Sequence, residues 1–489
     1  MISWGISANS HNAALAVFND HDLLFASESE RFSKFKNDPN LHHSLLTYTL
    51  KFGEPEKIYW YERPWLKTIR QFYAGQGLQD NNIKKYLQRY GIFSPVKTTG
   101  HHRSHAAAGF YTSKFPEACV LVIDAIGEFE CYTQWQALNG ELLKYSGLDY
   151  PHSLGLFYSA MTQRCGLKPN EEEYILMGMA ALGDANRLFR DIMKEFIELH
   201  NDDYREPFRM KQNLHRGCRQ WRPDLVTEQD IYDIAAATQQ VYETVFESIL
   251  QQAAQSSSSR NLVLMGGCAL NCSANPIAYR YFDNVWIMPA PGDSGSAIGA
   301  VLSHTRKHID WSGPYLGYDM GYRTDNEKIV EHLVNNKLCG LARGRAEFGP
   351  RALGNRSLLA DPRDPEIKSL VNNIKHREQF RPFAPAILEE FADQYFKMPT
   401  ESTPYMQYTV ECRESDRFPG VVHVDGTSRV QTVNKTDNPE FRDLLEKWFA
   451  RTGCPMLLNT SLNIKGEPMI NDHADARAWT EKYGLPVFN

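Results

Sequence analysis

The sequence predicts an α/β fold in two domains, and three observations support this prediction. Short apolar segments at residues 118–124, 261–265 and 284–288 are typical of buried strands that end at polar or glycine-rich turns. A long helix is predicted after Thr227, because Thr227 and Asp230 form a capping-box pattern and apolar residues follow at helical spacing. The chain has 489 residues, and one hydrophobic core rarely extends beyond roughly 250–300 residues.

The N-terminal segment predicts the start of an antiparallel sheet. Three apolar stretches follow one another and are separated by short polar turns, which is typical of consecutive strands. These stretches are residues 2–8, 13–18 and 23–26. No internal sequence repeat is evident. A Gly-, Tyr- and Pro-rich region at residues 306–325 separates two parts of the chain, and we therefore expect domains at residues 1–312 and 313–489.

Composition restricts the location of the protein and its class of partner. The net charge of −6 argues against a protein that binds along nucleic acid, because such binding needs a basic surface. A nucleotide or a flipped base stays open as a substrate. Nine scattered cysteines predict free thiols in a reducing compartment. The N-terminus lacks the features of a signal peptide, and no uncharged stretch reaches the length of a membrane span. We expect a cytoplasmic protein, with a homodimer as the default assembly.

Two histidines and two aspartates predict a metal site in the first domain. His101 and His105 are four residues apart in a segment that favours a helix, so both imidazoles face one side. Asp124 ends a predicted strand, and Asp293 lies in a glycine-rich loop after another. Imidazoles suit zinc, iron or a similar metal. The alternative for the histidines is a surface cluster without a metal.

Polar and glycine-rich turns of the first domain suggest further site residues. His11 lies in a polar loop between two predicted strands, where it is either a turn residue or a general base. Gly266 and Gly267 follow a strand and precede Asn271, so the backbone there could approach a nucleotide. The loop at residues 292–300 leads into an Ala-rich helix, whose N-terminus would attract phosphate.

Arginines and a lysine predict an anion-binding site in the second domain. Basic residues alternate with Gly, Pro, Phe and Leu in two segments, which indicates partial burial, and buried guanidinium groups need anionic partners. These residues are Arg343, Arg345, Arg351, Arg356, Lys375, Arg377 and Arg381. Ser461 and Asn463 are expected to alternate on one face of a strand, within reach of the same ligand. The candidates are a polyphosphate ligand or structural ion pairs.

The motifs taken together resemble the O-carbamoyltransferases of antibiotic and nodulation-factor biosynthesis. The matching segments follow the family order over nearly the whole chain. They include SANSHNAALAV, HHRSHAAAGF, EYILMGMAALG, GGCALNCSAN, PAPGDSGSAIGA, GRAEFGPRALGNRSLLADPR, KHREQFRPFAPAIL and PMLLNTSLNIKGEPMI.

The resemblance implies a fold, a reaction and a role for each motif residue. It implies a Kae1-like N-terminal domain of the actin/Hsp70/sugar-kinase superfold and a YrdC-like C-terminal domain. The second domain would make carbamoyl adenylate from ATP and carbamoyl phosphate. The first would transfer the carbamoyl group to a hydroxyl, with a divalent metal such as Fe(II), or else Mn, Zn or Mg. The implied metal ligands are His101, His105, Asp124 and Asp293, with His11 as the loop histidine. The implied adenylation residues are Arg351, Lys375, Arg381, Asn459 and Ser461, with Arg345 and Asn463 as neighbours.

Departures from the family motifs bear on the acceptor more than on the reaction. Ile175 replaces the usual lysine of one motif, and Asn12 replaces the aspartate that usually follows the loop histidine. The acceptor therefore stays open among sugars, natural products and hydroxymethylated nucleotides or DNA bases. Two other functions remain as alternatives: threonylcarbamoyl transfer to tRNA, and a non-catalytic nucleotide sensor. Sugar kinase activity is weaker, because it gives the second domain no role.

Overall fold

A computed structural model describes residues 1–200 and 206–489. The chain divides between Trp311 and Ser312 into two compact units. The first contains residues 1–33 and 37–311, and the second contains residues 34–36 and 312–489. In the described part of the chain, we find no helix that combines the length and the apolar character of a membrane span.

The first sheet of the first unit is built from the N-terminal strands. The first three strands of the chain pair in antiparallel order, as the polar turns predict. The strand Ile2–Ser7 also pairs in parallel with Lys57–Trp60, and Lys57–Trp60 pairs in parallel with Val96–Thr98. In sheet order the strands are Asp22–Glu28, Ala14–Asn19, Ile2–Ser7, Lys57–Trp60 and Val96–Thr98.

The second sheet of the first unit repeats this arrangement. An antiparallel meander again joins a parallel pair through its first strand. In sheet order the strands are Glu141–Asp149, Glu130–Leu138, Glu117–Gly127, Asn261–Met265 and Asn284–Trp286. Two mixed sheets of the same order confirm the predicted actin/sugar-kinase-like fold. The sequence shows no repeat, because backbone hydrogen bonds define the sheet order while the side chains of the two halves differ.

Helices and a small hairpin complete the first unit. The predicted long helix is confirmed as Glu228–Ser256: the Thr227 hydroxyl accepts from the Asp230 amide at 3.1 Å, and the Asp230 carboxylate accepts from the Thr227 amide at 3.0 Å. The other α-helices are Glu30–Ser33, His43–Thr49, Pro64–Tyr73, Ile83–Gln88, His101–Thr112, Leu154–Arg164, Glu173–Met179, Phe189–Phe196 and Ser296–Thr305. The hairpin pairs Ile197–Leu199 with Phe208–Met210.

Close packing of two helices determines where the predicted metal ligands lie. The helix His101–Thr112 contacts the helix Ser296–Thr305 along much of its length. Gly299 lies so near that a Cβ atom there would come within 1.8 Å of the Ser104 carbonyl oxygen. Because only glycine permits this approach, the turn before the second helix lies beside the first turn of the histidine helix.

The second unit is also α/β, around a mixed sheet of six strands. In sheet order the strands are Gln431–Val433, Ala384–Leu388, Met456–Ser461, Arg356–Ala360, Leu338–Ala342 and Val487–Phe488. Shorter pairs join Tyr315–Asp319 to Arg345–Glu347 and Thr409–Glu411 to Thr427–Arg429. The α-helices are Asn326–Asn336, Ile367–Ile374, Ala392–Tyr395, Pro439–Thr452 and His473–Tyr483.

One strand prediction in this unit was wrong. The strand ends at Ser461, so Asn463 does not alternate with Ser461 on a strand face. The chain turns there instead, because the Asn463 amide donates to the Ser461 carbonyl at 3.0 Å and the Ser461 hydroxyl donates to Asn463 Oδ1 at 2.6 Å.

Candidate metal centre and anion site

The four side chains proposed as metal ligands converge in the first unit. Their ligand atoms all lie within 4.8 Å of one another. His101 Nε2 is 3.1 Å from His105 Nε2, 3.4 Å from Asp124 Oδ2 and 3.3 Å from Asp293 Oδ1. Both histidines are buried, so the surface-cluster alternative is wrong for this pair.

Backbone contacts orient Asp124 toward the histidines. Asp124 lies where the pairing of its strand with the next becomes irregular, between Ile123 and Gly127. Its Oδ1 accepts from the Ala125 amide at 2.9 Å and from the Gly267 amide at 3.2 Å. These bonds occupy Oδ1 and leave Oδ2 facing the two imidazoles.

A backbone carbonyl determines the tautomer of His105. His105 Nδ1 lies 3.1 Å from the Pro291 carbonyl oxygen, which can only accept, so Nδ1 carries the proton and the Nε2 lone pair faces the centre. The Pro291 oxygen also accepts from the Gly266 amide at 2.9 Å. Gly266 has φ +91°, and a Cβ atom there would lie 2.2 Å from the Ile123 carbonyl oxygen. The glycine pair therefore supports the centre, and its predicted nucleotide contact stays a prediction.

The donor set fits a divalent ion. Two imidazole nitrogens and two carboxylates are ligands that zinc, iron and related metals accept. The two histidine Nε2 atoms lie 3.1 Å apart, and each lies 3.3–3.7 Å from the carboxylate oxygens of Asp124 and Asp293. These distances match the spacing between ligand atoms around one ion with bonds of about 2.0–2.2 Å. His101 Nε2 and His105 Nε2 lie 3.1 Å apart, so either a shared proton or a bound cation is needed to offset the repulsion between their lone pairs.

Electrostatics at the centre also favour a cation. Burial alone would lower the pKa of His101, but the carboxylates of Asp293, Asp124 and Glu62 outweigh it and raise that pKa well above its ordinary value. Burial opposes ionisation of Asp293 as well, yet the charges and hydrogen bonds of the two histidines hold its pKa well below the usual range. The site therefore stabilises positive charge at the point where the four side chains meet.

His11 has a defined tautomer in its loop. Its Nε2 lies 2.9 Å from the Asn170 carbonyl oxygen. Since a carbonyl only accepts, Nε2 carries the proton and Nδ1 is the acceptor nitrogen. The loop that bears it contains two residues with positive φ, Asn9 and Asn12. Its catalytic role stays a prediction.

Asn271 is engaged within the first unit. Its amide exchanges two hydrogen bonds of 3.1 Å with the Gln239 amide, and its Oδ1 also accepts from the Ala274 backbone at 3.2 Å. These contacts hold the turn after Gly266 and Gly267. The predicted nucleotide contact of Asn271 stays a prediction.

Lys375 is the centre of the anion site in the second unit. It is 3% exposed and its Nζ donates to the Ser461 carbonyl, to Asn463 O at 2.8 Å and to Asn463 Oδ1 at 3.0 Å. No carboxylate of the described chain lies within ion-pair distance of this ammonium. Burial, and then the charges of Arg377 and Arg381, hold the pKa of Lys375 well below its ordinary value. A buried cation surrounded by neutral oxygens and further cations favours an anionic ligand.

The loop that carries Arg351 approaches this site through Asn459. Asn459 Nδ2 donates to the Ala352 carbonyl at 3.2 Å and to Gln431 Oε1 at 2.7 Å. Its Oδ1 is buried, and no hydrogen-bond donor of residues 1–200 and 206–489 reaches it. An acceptor atom of Asn459 is therefore available to a ligand. Arg381 lies beside Glu378, with Arg381 Nη1 3.5 Å from the carboxylate.

Three other arginines of the motif have structural partners. Arg356 is fully buried and donates to backbone carbonyls, among them those of Arg343 and Asn471. Arg343 donates to Asn326 Oδ1 at 2.6 Å. Arg345 donates to the Leu316 carbonyl at 2.6 Å. These named partners are neutral carbonyl and amide oxygens. The choice between structural ion pairs and a polyphosphate ligand therefore stays a prediction, as does ligand binding by Arg345.

Glu347 holds the Arg351 loop, a role that the sequence analysis did not identify. Its buried Oε1 accepts from the backbone amides of Leu353 at 2.7 Å, Asn355 at 2.9 Å and Arg356 at 3.2 Å. A glutamate between two apolar residues gives no local signal of this role. Its three partners lie six to nine residues further along the chain.

We expect Glu347→Gln to lower the free energy of unfolding by roughly 1–3 kcal/mol, because charge-assisted hydrogen bonds become weaker neutral ones. Chemical denaturation followed by circular dichroism measures the change. Glu366→Gln is the matched control: Glu366 is exposed, and its loss of charge should change stability by less than about 0.5 kcal/mol. Equal stability of the two variants would show that Glu347 does not hold the loop.

Comparisons with known proteins identify the family. Residues 57–302 match the family model described as the carbamoyltransferase N-terminus, and residues 330–488 match the model of the carbamoyltransferase C-terminus. The chain belongs to the carbamoyltransferase family, which confirms the resemblance and the prediction of a carbamoyltransferase enzyme.

Individual relatives match over most of the chain. The nodulation protein NolNO of Sinorhizobium fredii is 31% identical over 95% of this chain and 76% of its own. The 3'-hydroxymethylcephem-O-carbamoyltransferase of Amycolatopsis lactamdurans is 30% identical over 97% of this chain and 95% of its own. Full-length HypF, a solved structure, is 13% identical with a TM-score of 0.36, over 62% of this chain and 46% of HypF.

Proposed function

We propose that this protein is an ATP-dependent O-carbamoyltransferase that uses carbamoyl phosphate and forms carbamoyl adenylate on the way to a small hydroxyl acceptor. The observation that carries the proposal is the presence of two complementary sites in one chain. One is a buried lysine near two arginines, suited to a polyphosphate. The other is a histidine and aspartate cluster suited to a divalent ion.

The second unit would perform the activation step. Water would first cleave the bond between phosphorus and the carbamoyl oxygen of carbamoyl phosphate and release inorganic phosphate and carbamate. A carbamate oxygen would then attack the α-phosphorus of ATP; a new oxygen–phosphorus bond forms, the bond from the α-phosphorus to the bridging oxygen breaks, and pyrophosphate leaves. Negative charge develops on the phosphoryl oxygens and on the leaving group, and fixed cations in a dry site stabilise it without reorganisation. Lys375, Arg351 and Arg381 would supply these charges. Asn459 Oδ1 would accept a hydrogen bond from the nucleotide, since that atom has no donor in the described chain.

The first unit would perform the transfer step. The acceptor oxygen attacks the carbamoyl carbon, the bond to AMP breaks, and AMP leaves as the carbamate ester forms. His101, His105, Asp124 and Asp293 would hold a divalent ion, which supplies positive charge that polarises a carbonyl and offsets charge on the phosphate. His11 would accept the acceptor proton at Nδ1, because its Nε2 is committed to the Asn170 carbonyl.

The whole reaction is tested with purified protein, ATP, carbamoyl phosphate, Fe(II) under anaerobic conditions and a panel of alcohols. We expect AMP and pyrophosphate to form, and mass spectrometry to find an acceptor heavier by one carbamoyl group. The panel covers sugars, natural-product alcohols and hydroxymethylated nucleosides and DNA. Absence of AMP and pyrophosphate with every acceptor contradicts the proposal, whereas their formation without an adduct means that the acceptor lies outside the panel.

We expect His11→Ala to lower the transfer rate by about 10²–10⁴-fold, the usual contribution of a positioned general base. Metal content and ATP–pyrophosphate exchange should stay at wild-type levels, since His11 Nε2 bonds Asn170 and not a ligand of the centre. His21→Ala is the control, because His21 is exposed in the next turn of the chain. A wild-type transfer rate in His11→Ala removes this residue from the reaction.

A further inference from the structure

The two metal-centre histidines differ in what orients their rings. His105 has its Nδ1 at 3.1 Å from the Pro291 carbonyl. His101 is 3% exposed, yet its Nδ1 has no hydrogen-bond partner in the described chain. A metal-binding imidazole normally donates its second N–H to a carboxylate or carbonyl, which fixes the tautomer and the ring direction. His101 therefore needs an acceptor on its Nδ1 side.

Glu62 is the carboxylate on that side. Its Oε2 lies 3.9 Å from His101 Nδ1, and both side chains are buried. Glu62 comes two residues after the strand Lys57–Trp60, just beyond the carboxyl end of a strand that pairs in parallel with both of its neighbours. The gap is longer than a direct hydrogen bond, and a small rotation of the ring or one bridging water closes it.

Lys67 holds Glu62 in place and connects it to the loop of His11. Its Nζ donates to Glu62 Oε1 at 2.7 Å and to the Asn9 carbonyl at 2.7 Å. The side chains of Lys67 and Glu62 are 4% and 5% exposed. Burial of such a pair is costly unless its geometry is good, and here the pair leaves one carboxylate oxygen, Oε2, directed at His101.

We propose that Glu62 is a positioning residue of the metal centre: it accepts the Nδ1 proton of His101, directly or through water, and so directs the Nε2 lone pair to the ion. Lys67 keeps Glu62 in that position. This inference rests on the metal centre of the proposed function and adds a carboxylate, histidine and metal triad to it. Loss of such an outer partner lowers metal affinity by about 10–100-fold.

The test uses the full-length chain stripped of metal and titrated with Co²⁺ alone. Its dissociation constant and visible absorption spectrum report the affinity and the ligand geometry. We expect Glu62→Ala to weaken Co²⁺ binding by about 10–100-fold and to shift the spectrum, since His101 loses its orientation. Glu62→Gln keeps an acceptor oxygen and nearly the same volume, so its loss of Co²⁺ affinity should be smaller than that of Glu62→Ala.

Two further variants separate the possible outcomes. Asp233→Asn removes another buried carboxylate of the same unit, one that pairs with Arg187, and should leave Co²⁺ affinity unchanged. His105→Ala should lose Co²⁺ binding. If both Glu62 variants bind Co²⁺ with wild-type affinity while His105→Ala loses Co²⁺ binding, the proposed role of Glu62 is wrong and the metal centre stands. Wild-type affinity in His105→Ala means that the proposed centre itself is wrong. If Glu62→Ala does not fold, the affinity of Glu62→Gln decides.

Discussion

Lys375→Met is expected to abolish carbamoyl phosphate-dependent ATP–pyrophosphate exchange, with a rate at least about 10³-fold below wild type. Methionine keeps the unbranched apolar stem and removes the ammonium group. Among the described residues, the buried ammonium donates to Ser461 and Asn463 oxygens, and no carboxylate there lies within ion-pair distance to share its charge. The group is therefore available to neutralise the charge that develops on transferring phosphate.

The matched control for this prediction is Lys368→Met. Lys368 lies in the helix Ile367–Ile374 that ends next to Lys375. It is partly buried, and it donates to the Val422 carbonyl at 3.1 Å. It resembles Lys375 in having a neutral backbone partner, although it is less buried, and it is not part of the proposed anion site. Exchange at the wild-type rate in Lys375→Met, or equal losses in both variants, contradicts the specific role of Lys375.

Much of the fold of the first unit could be predicted from local patterns. The antiparallel start follows from apolar stretches between polar turns, and the capping box at Thr227 and Asp230 marks the start of the long helix. The duplicated sheet order could not be predicted from the residues alone. Strand pairing depends on backbone hydrogen bonds between segments far apart in sequence, and strands of different composition satisfy it equally well.

The candidate site shows the same division between local and distant signals. His101 and His105 could be paired because four residues make about one helical turn, and Asp124 because an apolar segment ends there, although the strand itself continues to Gly127. Asp293 reaches them only because Gly299 permits two helices to touch. Glu62 is separated from the histidines along the chain by two helices and a strand. Its role depends on the His101 Nδ1 atom, whose lack of a hydrogen-bond partner in the described chain gives no signal in the sequence.

His105→Ala is expected to lose the bound metal and carbamoyl transfer while it keeps ATP–pyrophosphate exchange. Four ligands share an apparent binding free energy of roughly 10–16 kcal/mol in protein zinc sites, so one ligand accounts for about 10²–10³-fold in affinity. His105 also holds the centre to the Pro291 carbonyl at 3.1 Å, so its removal frees the neighbouring turn as well. Elemental analysis measures the metal, and separate assays measure exchange and transfer.

His102→Asn is the matched control for this prediction, because His102 lies on the same helix and is equally buried. Its Nδ1 bonds Thr133 Oγ1 at 2.9 Å, away from the four converging ligand atoms. We expect this variant to lose stability but to keep its metal. Retained metal in His105→Ala contradicts the ligand set. Loss of exchange together with transfer, in a variant that stays folded, contradicts the proposed assignment of the two reactions to different residues, since the partners of Lys375, Ser461 and Asn463, belong to the second unit.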